Sequence, residues 1–110
     1  MFKRSAVLAF MLAATPALAA GYLSGDRLFE TLAGKTFIWP DKTSSTYGRS
    51  GEYHFEGMVK LDGTWRVRGN KLCVTYSSGE RRCDRYVYSS KGLQLENAAG
   101  KRFLAQEVLH

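Results

Sequence analysis

The sequence predicts a mainly β domain, in which one short helix is followed by an antiparallel meander of about seven strands. Apolar and polar residues alternate in several short segments between residues 35 and 106, and this period of two is typical of half-buried strands. Turn signals rich in Gly, Asn and Ser separate these segments about every eight to ten residues. We therefore expect hairpin connections and a meander that curls into a small barrel or half-barrel, because closure removes exposed strand edges.

The first part of the chain, residues 1–19, has the pattern of a cleaved signal peptide. Lys3 and Arg4 form a basic start, an uncharged apolar run follows, and residues 17–19 (Ala-Leu-Ala) supply small side chains before the cleavage point. The apolar run is shorter than the roughly 20 residues that cross a bilayer, so a transmembrane anchor is not expected. We therefore predict one small β-rich domain, residues 20–110, exported to the periplasm, where disulfides persist.

Residues 24–34 predict a helix of about two turns. Ser24 is a good N-cap, because its hydroxyl can accept a hydrogen bond from a first-turn N–H group. The apolar residues from Leu28 to Leu32 form one stripe, and Gly34 stands where a C′ glycine ends a helix. A helix this short is not stable alone, so we expect its stripe to pack across one mouth of the barrel.

Seven segments beyond this helix have the composition and alternation of strands. They are residues 35–39, 51–60, 64–68, 72–76, 83–88, 93–96 and 101–106. Asp62-Gly63 is expected to form the tight turn of one hairpin. Residues 41–50 are polar and rich in Ser and Thr. They therefore predict the longest loop of the domain, with Tyr47 as an exposed contact residue.

Cys73 and Cys83 flank the turn of a predicted hairpin, and we expect them to form a disulfide. A three-residue loop at 77–79, with Gly79 in the left-handed conformation, would place the cysteines directly opposite each other at a spacing near that of a disulfide. A four-residue turn would instead make the pair diagonal. If the apolar residues of the first strand face inward, Cys73 faces outward unless a bulge intervenes. A redox-active pair is disfavoured, because catalytic dithiols usually lie in a Cys-x-x-Cys at a helix start.

The sequence holds no motif that indicates an enzyme or a cofactor site. Its two histidines are His54 and His110, and it lacks the nucleophile elbow, the zinc-protease helix, the phosphate loop and the dinucleotide fingerprint. Glu52, His54 and Glu56 alternate along one predicted strand and could converge on a metal ion, but a solvated face with local ion pairs is the favoured interpretation. We therefore predict no catalytic residues, no cofactor and no metal.

Basic residues exceed acidic ones, with 16 Lys and Arg against 10 Asp and Glu, and of these only Lys3 and Arg4 lie in the predicted signal peptide. In an exported domain this excess makes an anionic envelope component or an exported protein a more sensible partner than nucleic acid, although a contribution to solubility alone is the favoured interpretation. Arginine binds phosphate and carboxylate groups well, although ordinary cross-strand pairing with Glu80 and Asp84 is the favoured alternative. The candidate ligand-binding residues are Tyr47, Arg49, Arg66, Arg68, Arg81, Arg82 and Arg85.

Three short segments carry a resemblance to a known group of proteins. They are Leu23-Ser24-Gly25-Asp26 with Leu32 and Gly34-Lys35-Thr36, then Asp62-Gly63-Thr64-Trp65-Arg66-Val67, and then Leu72-Cys73-Val74 with Cys83. With this frame and its G-T-W-x-V…L-C-V core, most of the domain resembles small exported proteobacterial domains of unknown function. The resemblance implies a periplasmic all-β domain and supplies no catalytic residue.

The expected topology and disulfide use are also loosely similar to the small barrel-type inhibitors of lysozyme. The loop motifs of those inhibitors are not evident in this chain, and a basic domain would repel a cationic lysozyme. The sequence therefore predicts a non-enzymatic periplasmic binding or envelope-associated module that uses residues 41–50 and the arginine-bearing hairpins. A protein inhibitor or immunity factor of an exported enzyme, such as a lysozyme-type hydrolase, is the alternative.

Overall fold

The computed structural model describes residues 21–110, so the predicted signal peptide lies outside the described residues. This part of the chain folds into one helix and nine strands. The helix α1 is Gly25–Leu32, and the strands are β1 (Lys35–Ile38), β2 (Ser44–Tyr47), β3 (Glu52–Glu56), β4 (Lys60–Arg68), β5 (Lys71–Tyr76), β6 (Arg81–Ser89), β7 (Gly92–Glu96), β8 (Arg102–Leu104) and β9 (Glu107–Leu109). Neighbouring strands are antiparallel throughout the order β8-β7-β6-β5-β4-β3-β2-β1-β9. The mainly β fold class is confirmed, with two more strands than the predicted seven.

The sheet curls so that its two edges approach each other, and the C-terminal segment joins them. β8 and β9 lie at opposite ends of the strand order, yet only Ala105 and Gln106 separate them along the chain. The Ala105 N–H donates to the carbonyl oxygen of Leu93 in β7, and the Gln106 N–H donates to that of Ile38 in β1. These two adjacent residues thus form hydrogen bonds with strands near the two opposite edges of the sheet. The sheet is therefore curled into a half-barrel that has an inner and an outer face.

The inner face is a core of large aromatic and aliphatic side chains. The largest fully buried side chains are Tyr47, Tyr86, Phe37, Leu28, Leu32 and Leu72. Many of the aromatic rings meet in tilted or edge-to-face pairs, such as Tyr47 and Tyr86 with ring centroids 6.3 Å apart. Such pairs contribute about 0.5–1.5 kcal/mol each beyond the area that they bury. The aromatic residues of the sequence therefore serve mainly as core.

The helix α1 covers the end of the half-barrel at which β2 joins β3 and β4 joins β5. Leu28 and Leu32, the first and last residues of its apolar stripe, are fully buried in the core. Between them, Phe29 stacks on the ring of Trp65 with centroids 5.2 Å apart. The helix thus closes one mouth of the half-barrel, as predicted, and its stability depends on this packing.

The backbone sets both ends of α1. Ser24 occupies the N-cap, but its hydroxyl caps no N–H group of the described chain, so the predicted side-chain cap is wrong. The Gly25 N–H instead donates to the carbonyl oxygen of Gly69, 2.9 Å away, which ties this end of the helix to the β4–β5 turn. Gly34 follows the helix with a φ of +78°, as expected of a C′ glycine. Among the described residues, no helix is long and apolar enough to cross a membrane.

The prediction that residues 41–50 form one long loop with an exposed Tyr47 is wrong. The segment Ser44–Tyr47 is strand β2, which pairs with both β1 and β3. Ser45 and Tyr47 point into the core and are buried, whereas Thr46 points outward and bonds to a threonine hydroxyl of β1 at 2.8 Å. A high content of Ser and Thr suggests a loop. In β2, however, the hydroxyl groups of Ser45 and Thr46 form hydrogen bonds with neighbouring side chains, so the segment is stable as a strand.

Asp62-Gly63 does not form a turn, contrary to the prediction. Both residues lie inside β4, and the connection between β3 and β4 is at residues 57–59. A Cβ atom on Gly63 would overlap the carbonyl oxygen of Thr75 in β5. The glycine is therefore required for the close approach of two strands rather than for a turn.

The predicted disulfide is confirmed, and of the two registers left open the directly opposite one is found. Cys73 and Cys83 lie directly opposite each other in β5 and β6 and are bonded, with Cα atoms 4.1 Å apart. The connection is the three-residue loop 77–79, and Gly79 has the expected positive φ, +96°. The flanking apolar residues of β5 point into the core and are buried, so the disulfide lies on the outer face of the sheet.

Candidate functional site

A pocket with a volume of about 380 Å³ opens at the end of the half-barrel opposite α1. The β1–β2 connection supplies one side of its mouth, from Trp39 to Thr43, and Asn97 at the β7–β8 connection supplies another. Successive connections of an antiparallel meander lie alternately at the two ends of the strands. The helix α1 and the residues beside it form hydrogen bonds at the end that holds the β2–β3 and β4–β5 connections. The β1–β2 and β7–β8 connections therefore lie at the opposite end. The pocket is thus an open continuation of the core.

Aromatic and aliphatic side chains form most of the pocket wall. They include Trp39, Tyr53, Phe55, Val74, Leu95 and Phe103. These residues come from five different parts of the strand order, so the wall exists only because the sheet is curled. A mainly apolar wall with a few placed polar groups is typical of small-molecule sites.

The buried hydroxyl groups along this wall are paired with one another. The indole Nε1–H of Trp39 donates to Ser45 Oγ at 3.0 Å, and the Tyr53 hydroxyl lies 3.2 Å from the same oxygen. The hydroxyl oxygens of Tyr47 and Tyr86 are 2.6 Å apart. Burial raises the pKa of Tyr53 to about 12 and raises the pKa of Tyr47 and of Tyr86 well above the usual value. These groups therefore stay neutral and fix the shape of the wall.

An ion pair between Arg82 and Asp84 is the main charged feature of the pocket. Nε and Nη2 of Arg82 donate to the two carboxylate oxygens of Asp84 at 2.9 and 2.8 Å. The Asp84 side chain is 5% exposed and that of Arg82 is 47% exposed, so the carboxylate is buried while the guanidinium reaches solvent. The hydrogen bond to Asp84 raises the pKa of Arg82. Arg82 is therefore a permanent cation at the mouth, with Nη1 donors beyond those that Asp84 uses.

Two side chains that bond to their own turns shape the rest of the mouth. The Oδ1 atom of Asn97 accepts hydrogen bonds from the N–H groups of Ala99 and Lys101 at 3.0 and 2.9 Å, so its amino group remains as a separate donor. The Oδ1 atom of Asp41 accepts from the hydroxyl and the N–H of Thr43 at 2.6 and 3.0 Å. Both hydrogen bonds lower the pKa of the Asp41 carboxyl, and the bond from the Thr43 hydroxyl has the larger effect.

The structure distributes the seven predicted ligand-binding residues over three places. Tyr47 and Arg82 line the pocket. Arg49 lies near the α1 end, where its guanidinium pairs with Glu30 at 2.8 Å. The other four belong to the outer face of β4 and β6: Arg66, Arg68, Arg81 and Arg85. The predicted residues therefore do not form a single site.

Several of the pocket residues are not among the candidates named from the sequence. Asp84 stands two positions from the buried Tyr86 on β6, so strand alternation places it, together with Arg82, on the inner face. That signal is present in the sequence. No comparable signal marks Asn97 or Phe103, because their position at the pocket depends on the curl of the whole sheet.

Glu52, His54 and Glu56 do alternate along the outer face of β3. His54 Nδ1 lies 2.7 Å from Asp62 Oδ1, and Glu56 lies 3.7 Å from the Lys60 ammonium. Across residues 21–110, no group of three or more His, Cys, Asp or Glu side chains is arranged to hold a metal ion. Of the local ion pairs expected on this face, the one between Glu56 and Lys60 is present, and His54 forms a hydrogen bond with Asp62.

Comparison with known proteins identifies no relative. No family model, no curated protein and no solved structure matches this chain. The functional interpretation therefore depends on the geometry of the chain itself.

Proposed function

We propose that this protein is a non-enzymatic binding module, and that its ligand is a small amphipathic molecule held in the pocket opposite α1. The observation that carries the proposal is a pocket of about 380 Å³ with a mainly aromatic wall and a few polar groups at its mouth. Sites for small molecules have this composition and volumes of about 300–1,000 Å³. Four residues of the segment 41–50, a candidate from its sequence, line the pocket: Asp41, Thr43, Ser45 and Tyr47.

The polar groups at the mouth indicate the chemistry of the ligand. The guanidinium of Arg82 and the amino group of Asn97 are hydrogen-bond donors, so the matching end of the ligand carries acceptor oxygens, as a carboxylate or a sulfonate does. Asp84 offsets the charge of Arg82, so these donors orient the ligand more than they attract it from a distance. The other end of the ligand is apolar or aromatic and lies against side chains such as Trp39 and Phe103.

Two features support binding without catalysis. Both carboxylate oxygens of Asp84 accept hydrogen bonds from Arg82, and a carboxylate occupied in this way is poorly placed to act as a general base. Burial raises the pKa of Tyr53 to about 12, so its hydroxyl keeps its proton at neutral pH. Neither group is activated in the manner that acid–base catalysis requires.

The proposal includes export to the periplasm. The disulfide between Cys73 and Cys83 supports it, because such bonds persist in oxidising compartments. We expect periplasmic extract to contain a chain that begins at residue 20 and has no free thiol. Intact mass measured without reductant tests this expectation, and an uncleaved chain with two free thiols in the cytoplasm would contradict it.

The pocket is tested by titrating the protein with anilinonaphthalene sulfonate, an aromatic amphiphile with an acceptor head group. We expect saturable binding of one dye molecule per chain. Asn97→Asp keeps the oxygen that accepts the turn hydrogen bonds but replaces the free donor by a negative charge, so dye affinity should fall about tenfold or more. The matched control is Asn70→Asp in the β4–β5 turn. It makes the same charge change at the α1 end of the half-barrel and should leave the affinity for the dye unchanged.

Near-UV circular dichroism must accompany each titration, because this dye also binds partly folded chains. If the folded wild-type chain binds no dye saturably, the proposed site is wrong. It is also wrong if Asn97→Asp and Asn70→Asp bind the dye equally well.

A second candidate function, inhibition of an exported enzyme, is favoured by the connection between β3 and β4. Met58 at this tip is fully exposed, and Val59 is 58% exposed. Exposed apolar side chains that cluster mark contact sites for other macromolecules, and an inhibitor inserts such a tip into the catalytic cleft of its target. The tip lies at the same end of the half-barrel as the pocket mouth.

Lysis of a cell-wall suspension by a lysozyme-type hydrolase tests this candidate. An inhibitor reduces lysis stoichiometrically, and Met58→Asp should remove the effect because it places a charge at the tip. Tyr88→Asp, at another exposed large side chain, is the matched control and should inhibit like the wild type. Undiminished lysis at a large excess of the chain would reject inhibition of this class of enzyme.

A further inference from the structure

The outer face of β4, β5 and β6 carries a block of basic residues around the disulfide. Cross-strand pairing places Arg66, Cys73 and Cys83 in one row, and residues two positions away along each strand share their face. We call this set the cationic face: Thr64, Arg66, Arg68, Lys71, Cys73, Thr75, Arg81, Cys83 and Arg85. Five of these nine residues are Lys or Arg and none is acidic. Carboxylates border the set at Asp62, the next outward residue of β4, and at Glu52 of β3, which lies opposite Thr64.

Most of this positive charge is not neutralised by nearby carboxylates. Four exposed cations of the face form no ion pair within residues 21–110: Arg66, Arg68, Lys71 and Arg81. The fifth, Arg85, lies 4.0 Å from Glu96 at the edge of the face. By contrast, Arg49 and Arg102 each contact a glutamate, at 2.8 and 2.9 Å. The cationic face therefore presents a local excess of positive charge.

The cations form a two-dimensional array rather than a line. Neighbouring strands lie about 4.8 Å apart and alternate residues along a strand about 6.7 Å apart, so the array extends roughly 10 Å across the strands and 13 Å along them. An array of this kind matches a plane of anionic groups.

Nucleic acid fits the cationic face less well. Proteins that bind single strands combine basic grooves with aromatic side chains on which bases stack, and none of the nine residues of this face is aromatic. Attraction to anionic lipids, in contrast, requires only basic side chains close to the lipid surface, and the cationic face carries five of them.

We propose that the cationic face binds the surface of an anionic lipid bilayer. The contact is electrostatic and peripheral, with arginine and lysine side chains at the level of the phosphate groups. It does not involve the pocket, whose mouth lies at the end of the half-barrel, so the pocket remains open while the protein lies on the lipid.

Sedimentation of the full chain with lipid vesicles tests the proposal. We expect binding to vesicles of phosphatidylcholine mixed with an equal amount of phosphatidylglycerol, and at least tenfold weaker binding to phosphatidylcholine alone. Raising NaCl from about 0.05 M to about 0.5 M should release the protein, because salt screens interactions between exposed charges. Binding to anionic vesicles that does not respond to salt would overturn the proposal.

Matched variants test whether this face, rather than the net charge or the first 20 residues, is responsible. Arg66→Gln with Arg68→Gln should weaken binding to anionic vesicles about 25-fold, since each basic residue at a lipid surface contributes roughly fivefold. Arg27→Gln with Lys91→Gln removes the same charge from exposed positions outside the face and should change binding less than twofold. All four side chains are exposed, so both variants should fold, and unchanged dye binding in the pocket verifies this independently.

Three further results would overturn the proposal. The first is no preference for anionic over neutral vesicles. The second is an equal loss of binding in the two double variants, which would assign the effect to net charge alone. The third is duplex DNA binding that depends on Arg66 and Arg68 while vesicle binding does not, which would make nucleic acid the partner of this face.

Discussion

Arg82→Gln should lower the free energy of unfolding by about 2 kcal/mol, because it removes the partner of a buried carboxylate. The Asp84 side chain is 5% exposed, and both of its oxygens accept hydrogen bonds from Arg82. Removing one partner of a fully buried ion pair costs about 3–5 kcal/mol. The Arg82 side chain is 47% exposed, so water screens the pair and lowers the expected cost by roughly half.

Equilibrium unfolding in urea at neutral pH measures this cost. The exposed neighbour Arg81 has no carboxylate partner in the described part of the chain, so Arg81→Gln is the matched control and should change stability by less than about 0.5 kcal/mol. Adding Asp84→Asn to Arg82→Gln should restore about 1 kcal/mol, because the amide removes the unpaired charge. If Arg82→Gln is as stable as the control, Asp84 does not depend on Arg82 and the reasoning is refuted.

Three other predictions concern stability, and urea unfolding measures each. Gly63→Ala should cost about 1–3 kcal/mol, because its methyl group would overlap the Thr75 carbonyl oxygen; an unchanged midpoint would contradict this. Replacing Cys73 and Cys83 by serine should cost about 3 kcal/mol, and a loss below about 1 kcal/mol would be evidence against a disulfide staple. Burial raises the pKa of Tyr53 from 10.0 to about 12, so stability should be complete below about pH 10 and fall between about pH 10 and 12, by up to about 1.4 kcal/mol per pH unit for each such tyrosine. A flat stability profile over that range would contradict the burial of this hydroxyl.

Strands were predictable where one face is apolar and the other polar. Trp65 and Val67 alternate with arginines in β4, and the structure confirms a strand over the predicted residues 64–68, although it begins earlier, at Lys60. β2 was not predictable in this way, because one of its two inward residues is Ser45, which is buried as the hydrogen-bond partner of Trp39. A buried polar residue removes the hydrophobic signal on which the alternation depends. Gly63 was misinterpreted for a related reason: a glycine needed for close strand packing has the same sequence signature as a turn glycine.

The pocket could not be predicted because it depends on the curl of the sheet. Strand alternation assigns Arg82 and Asp84 to the inner face, and this was recoverable from the sequence. The approach of Asn97 and Phe103 to Trp39 was not, since it requires the two edges of the sheet to meet through the C-terminal segment. The cationic face was more accessible to sequence reasoning, because it depends only on alternation and on the register fixed by the disulfide.

The central claim is that a small amphipathic ligand enters the pocket opposite α1, and the two tryptophans of the chain allow a direct test. Trp39 lines the pocket, whereas Trp65 stacks on Phe29 beside α1 at the other end. In a nitrogen–proton correlation NMR titration with anilinonaphthalene sulfonate, we predict a saturable shift of the Trp39 indole N–H signal and an unchanged Trp65 signal. A shift of the Trp65 signal alone, or no indole shift while the dye binds saturably, would contradict the claim.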